Sequence, residues 1–228
     1  MIESMEFQSE RHCIRIQAIS GLVFGLFVAV HLGNSLLALS GSSIYDGFQR
    51  NVQAIYQHPI VEILLLGFVL PLHITAGIVR ARDRRQRGES QPTTIVRIHR
   101  YAGWFLVVVV YWHAAAVRLP SLLYGVWPRF DGVAFSIEWM PMWFYPYYFL
   151  LAWAGFFHML NGTGIALMRL GITRRALGAP QLRALGFMAA LLITVSLLAF
   201  GGVWFDVGTP MGSDYARLYL SLMEKFLK

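Results

Sequence analysis

Four histidines, His31, His73, His113 and His158, stand one apiece in four of the five long apolar stretches of this 228-residue chain. A lone imidazole in hydrocarbon is readily explained by a bond to a nearby carbonyl or serine, but four on four separate stretches point to two metal centres, each gripped by two helices. A helix rises about 1.5 Å per residue, so depth can be counted from the flanking arginines. His31 lies about 24 Å from Arg15 and His113 about 20 Å from Arg100, whereas His73 lies about 10 Å from Arg80 and His158 about 16 Å from Arg169. Ligands on opposite faces of one metal must share a depth, which sorts His31 with His113 and His73 with His158.

Zinc draws about four ligands to one point, and these depths spread over about 14 Å. Bis-histidine b-type haem suits the pattern better. It is a flat apolar macrocycle that slots between helices, and a six-coordinate iron with no open position favours electron transfer over oxygen binding. Cys13 is the only cysteine, which excludes an internal disulfide, a cysteine-ligated iron–sulfur cluster and a CxxCH attachment. His12 and His99 fall near one membrane boundary and His58 near the other, and are read as interfacial residues rather than ligands.

The elements that must carry these histidines follow from composition. The chain is 57% hydrophobic and 14% charged, far from soluble usage. A bilayer core needs about 20 apolar residues per helix. Five such runs span roughly 14–39, 59–80, 97–119, 145–169 and 183–205, followed by an interfacial tail, 206–228. The expected fold is all-α, an integral membrane bundle of five transmembrane helices in a single domain over 1–228, with no room for a soluble catalytic domain. The first run is too long, and lacks the small-residue site, expected of a cleaved signal. The formal charge of +7 is explained by topology rather than by nucleic acid. Thirteen of the 19 basic residues lie in 11–15 at the start of helix 1 and in the stretches 80–100 and 169–183, which places the N-terminus in the cytoplasm and the C-terminus outside.

Pro71, two residues before His73, is expected to kink helix 2. The basic connector 80–96 is either an orientation signal or a docking surface for a cytoplasmic partner. The stretches 40–58 and 120–146 read as external loops, the second an aromatic lid. Gly162 and Gly164 in NGTGIALMRL allow close helix approach or room for a flat cofactor. Glu62, the acidic residue well within a span, is either an interfacial carboxylate or a proton donor and acceptor for quinone. Leu218, Leu222 and Phe226 recur at helical spacing in the tail. No sequence repeat is evident.

Three features together resemble a known family: SGLVFGLFVAVH, with Gly21 ten residues before His31; FHMLNGTGIALMRL around His158; and the order of histidines from helix to helix. The chain is similar to the five-helix, dihaem cytochrome b anchor of succinate:quinone oxidoreductases, the succinate dehydrogenases and fumarate reductases. The resemblance implies two haem b groups, a distal one on His31 and His113 and a proximal one on His73 and His158, with Gln17 and Arg169 at a proximal propionate. It further implies a flavoprotein subunit for the dicarboxylate chemistry, an iron–sulfur subunit, membrane lipid, a quinone expected to be menaquinone, and a homo-oligomer of the whole complex. Phe156 stands where some members have a glutamate that moves protons across the membrane.

Two other readings stand beside this one. A cytochrome b subunit of nitrate-reductase type would usually carry two ligand histidines on one helix, whereas the four histidines read as ligands here stand on four helices. A haem-free transporter or anchor would often show broken helices in related halves, and no such symmetry is evident.

Overall fold

The computed structural model describes residues 2–88 and 92–226, with side chains from 10 to 88 and from 92 to 225. Glu89, Ser90 and Gln91 of the basic connector, and Leu227 and Lys228 of the tail, lie outside the described residues. Among the described residues the fold is all-α, without a strand. In chain order the helices are α1 (Ile2–Leu36), α2 (Ser42–Tyr56), α3 (Pro59–Gln86), α4 (Thr94–Tyr124), α5 (Phe130–Trp139), α6 (Pro141–Arg169), α7 (Ala179–Phe200) and α8 (Asp214–Phe226). Five of them, α1, α3, α4, α6 and α7, are long and apolar enough to cross a membrane. Leu26, Val108, Trp112 and Phe187 on these helices are 66–78% exposed, the outward-facing apolar surface that lipid covers.

The stretches expected as loops at 40–58 and 120–146 contain α2 and α5 instead. Gly41, at φ +99°, separates α2 from the 3-10 turn Leu37–Ser40 that ends α1. The two stretches escape a hydropathy reading because each helix is too short to cross a bilayer; α2 buries one face, whereas α5 is buried on most sides.

Proline and π-winding coincide in α3. Residues Ile63–Val69 wind as a π-helix, and the Leu70 N–H bonds the Leu65 carbonyl. Pro71 follows directly, in the first turn of the α-helical part Leu70–Gln86. A proline lacks its N–H and crowds the preceding turn, and the wider π turn relieves both conflicts.

The chain divides into two compact units. The first comprises Met1–His31, Gln53–Trp104 and Gly155–Gly186. Small residues bring its helices together: Ala18, Ser20, Ala76, Ala102 and Ala166 are buried, and Gly25 lies against Met159 and Thr163, the close backbone approach that membrane helices favour.

The second unit comprises Leu32–Val52, Phe105–Ala154 and Phe187–Lys228. Its core joins Tyr45 of α2, Phe130 of α5 and Phe200 of α7, the Tyr45 ring edge-on to both phenylalanines. Asp46 accepts the Phe130 N–H at 2.8 Å and so satisfies an open donor at the start of α5. Ser213 caps α8 by accepting the Ala216 N–H at 3.1 Å. Tyr215 and Tyr219 donate to the Ala116 carbonyl at 3.1 and 2.6 Å and tie α8 to α4. Burial pushes the Tyr215 phenol well above its ordinary range.

Asp131, in the first turn of α5, has a buried Oδ1 without a hydrogen bond. Burial first, and then Asp46 and Asp214, raise its pKa against the opposing pull of the Gly132 N–H and Arg129. A raised carboxyl pKa means that the folded state holds the proton more tightly than the unfolded one. The stabilisation is full below the ordinary aspartate range and is lost as pH rises through the folded-state pKa. Asp131→Asn is therefore expected to raise the unfolding temperature in detergent near neutral pH, with the difference from wild type closing below about pH 4. A difference independent of pH would overturn this reading.

Candidate functional site

His73 of α3 and His158 of α6 meet in the first unit with ring centres 6.2 Å apart and planes at 89°. Each is held through Nδ1 by a backbone carbonyl of another helix. His73 Nδ1 lies 3.1 Å from the Gln17 oxygen and His158 Nδ1 lies 3.1 Å from the His99 oxygen. A carbonyl can only accept, so in both rings Nδ1 carries the hydrogen and Nε2 keeps its lone pair. Tying one ring nitrogen to a carbonyl is the usual way to orient a histidine for metal binding by the other. Ser20 Oγ adds a second contact to His73 Nδ1 at 3.4 Å, while its own hydrogen goes to the Ile16 carbonyl at 2.6 Å.

Two glycines make room for these rings. A Cβ at Gly21 would lie 2.8 Å from His73 Cε1, and a Cβ at Gly103 would lie 2.8 Å from His158 Cε1. Each glycine stands four residues after the carbonyl that holds the same ring. The registers of α1 and α4 therefore match. Gln17, Gly21 and His31 on α1 correspond in spacing to His99, Gly103 and His113 on α4.

The pair fits a metal held between two imidazoles. A metal bound by both Nε2 atoms, with bonds of about 2.0–2.1 Å, would set the ring centres roughly 6 Å apart, close to the separation found here. Among the described residues no three histidine, cysteine or acidic side chains gather as a protein-only metal cage. Two histidines alone suit a metal that brings its other ligands with it, as haem iron does. Perpendicular imidazole planes are compatible with this, because both rings can stand upright on a flat macrocycle.

Near the same end of the first unit, Glu10, Arg80, Asp83, Arg84, Arg87 and Arg169 line a cavity of about 190 Å³. Arg87 pairs with Glu10 at 2.8 Å. Arg80 donates to the Gln17 side-chain oxygen, so Gln17 serves His73 with its backbone and Arg80 with its side chain. Four guanidinium groups against two carboxylates leave the cavity net positive and suited to carboxylate guests.

His31 lies in the first unit, stacked on Phe27 with ring centres 5.7 Å apart. Phe27 in turn meets Tyr56 edge-on at 5.2 Å. His113 lies in the second unit, its Nδ1 3.3 Å from the Tyr147 hydroxyl. Glu62 is half-buried where the first turn of α3 passes into its π segment, with its N–H bonded to the His58 carbonyl at 2.9 Å.

The sequence reading treated His99 as interfacial and did not single out Gly103, Arg80 or the Gln17 carbonyl. One signal was available: the ten-residue interval from Gly21 to His31 recurs from Gly103 to His113. The spacing yields a test within one helix. Gly21→Ala forces a methyl into the His73 ring and should destabilise the protein by about 1–3 kcal/mol. Gly25→Ala meets Met159 Cγ at 3.5 Å, an ordinary contact, and should be neutral or stabilise by up to about 1 kcal/mol. Unfolding in mixed SDS micelles measures both, and equal effects would refute the tight cradle.

The family model described as the succinate dehydrogenase/fumarate reductase transmembrane subunit matches residues 80–200, more than half of the chain. That range contains His99, His113, His158 and Arg169, whereas Gln17, His31, Glu62 and His73 precede it. No curated protein and no solved structure matches the chain. The five apolar helices and the family match agree on an integral membrane protein, and the chain belongs to the succinate dehydrogenase/fumarate reductase transmembrane subunit family.

Proposed function

We propose that this chain is the dihaem cytochrome b anchor of a succinate:quinone oxidoreductase, passing electrons between an iron–sulfur subunit and membrane quinone. The observation that carries the reading is the His73–His158 pair, with Nδ1 of each ring bound to a carbonyl and the ring centres 6.2 Å apart. Haem iron, when bound, would supply a one-electron couple. His73 and His158 hold the proximal haem. Gln17 and Arg169 serve its propionates, and the basic cavity beside them adds Arg80 to that set. His31 and His113 hold the distal haem. Support for this pairing comes from register, because each stands 14 residues beyond the carbonyl that grips a proximal ligand, about 21 Å along its helix.

The dicarboxylate chemistry belongs to the flavoprotein subunit, and electrons enter or leave through the iron–sulfur subunit beside the basic connectors. The N-terminus faces the cytoplasm and the C-terminus the outside. Quinone, expected to be menaquinone, reacts near the distal haem, and Glu62 exchanges its protons. Phe156, which has no proton to move, stands at the position where some relatives have a glutamate for transmembrane proton transfer. The whole complex is expected to assemble as a homo-oligomer.

The purified complex is expected to show b-haem bands on reduction and two haems per chain by pyridine haemochrome. His73→Ala and His158→Ala should each abolish the proximal haem and leave one haem per chain. Absence of b-haem bands, or two haems retained in both variants, would overturn the proposal.

A further inference from the structure

We infer that His99 is a positioning residue for the proximal centre, and that its imidazole sets the plane in which His158 presents Nε2. The inference rests on the proximal-haem reading above. The two ligands are held by matched devices with one difference. Gln17 and His99 occupy equivalent positions, four residues before Gly21 and Gly103, and each gives its carbonyl to a ligand histidine. Their side chains act differently. The Gln17 side chain turns to Arg80, whereas the His99 ring lies flat on the His158 ring, with centres 4.2 Å apart and planes 4° from parallel.

A bond through Nδ1 alone leaves a ring free to rock about its hydrogen bond. A second flat ring stacked on its face removes that freedom, and Gly103 closes in at Cε1. Among the described residues the His99 Nδ1 is buried without a hydrogen bond, so no protein partner of that nitrogen fixes the ring in its stack. Its Cε1 rests within 3.5 Å of where a Cβ of Gly162 would stand. Burying a polar nitrogen without a partner is unfavourable, and phenylalanine would give the same flat face without that penalty. Besides its carbonyl, the contact that His99 makes with His158 is the stacked face.

The test compares His99→Gln, which copies the Gln17 side of the site, with His99→Phe, which keeps the stack. Both leave the backbone carbonyl in place. The intact complex is examined by electron paramagnetic resonance and by redox titration of each haem. The largest g value of a low-spin bis-histidine haem depends on the angle between its two imidazole planes, and so reports the orientation of His158 directly. His99→Gln is expected to shift that signal and the midpoint potential of the proximal haem, with the distal haem unmoved. It should also speed loss of proximal haem to apomyoglobin by about ten-fold. His99→Phe is expected to keep all three at their wild-type values. Unchanged signals in both variants would overturn the inference. So would equal shifts in both, which would assign the role to a ring nitrogen. Wild-type complex without two low-spin haem signals would instead sink the underlying haem reading, which separates the two failures.

Discussion

The centre of this protein depends on two helix carbonyls being open to a second donor. In an α-helix the carbonyl of residue i already accepts the N–H of residue i+4 and has one lone pair to spare. Helical side chains lean toward the N-terminus, so the side chain of residue i+4 normally covers that oxygen. At Gly21 and Gly103 there is nothing to cover it. His73 and His158 reach the carbonyls of Gln17 and His99 through these gaps, and the four-residue spacing of carbonyl and glycine follows from the turn of the helix.

This arrangement answers the problem that a buried imidazole poses. Each ring has two nitrogens that want partners where little water is present. The carbonyl takes one, fixes the tautomer and leaves the other as a lone pair suited to a metal. Neither ring needs a charged residue beside it. The charged groups gather instead at one end, where Arg80, Arg84, Arg87 and Arg169 surround a cavity with Glu10 and Asp83.

Other parts of the fold shape and brace the helices. The π turn ahead of Pro71 lets α3 run from Pro59 to Gln86 and still deliver His73 two residues after the proline. In the second unit, α2, α5 and α8 pack aromatic faces against the spans, and Tyr215 and Tyr219 converge on the Ala116 carbonyl. Of these short helices, α2 and α8 hide one face and expose the other, whereas α5 is buried on most sides. Composition alone made α2 and α5 look like loops, whereas the heptad-like spacing of Leu218 and Leu222 made α8 recognisable.

Much of this protein was legible in the residues themselves. The five spans follow from the thickness of a bilayer, and the expense of burying imidazole is what makes His31, His73, His113 and His158 stand out within four of them. Counting depth from the arginines paired His73 with His158, because the rise of a helix is the same in every sequence. Tertiary structure alone decided how those rings are held. The Gln17 and His99 carbonyls belong to no side chain and leave no mark in composition. His99 itself looked interfacial because it stands five residues into α4, and only the packing of α6 against α4 lays its ring on His158. Periodicity records which way a residue points along its own helix. Which neighbour it meets there depends on the rotation and contact of two helices, and that is settled by packing.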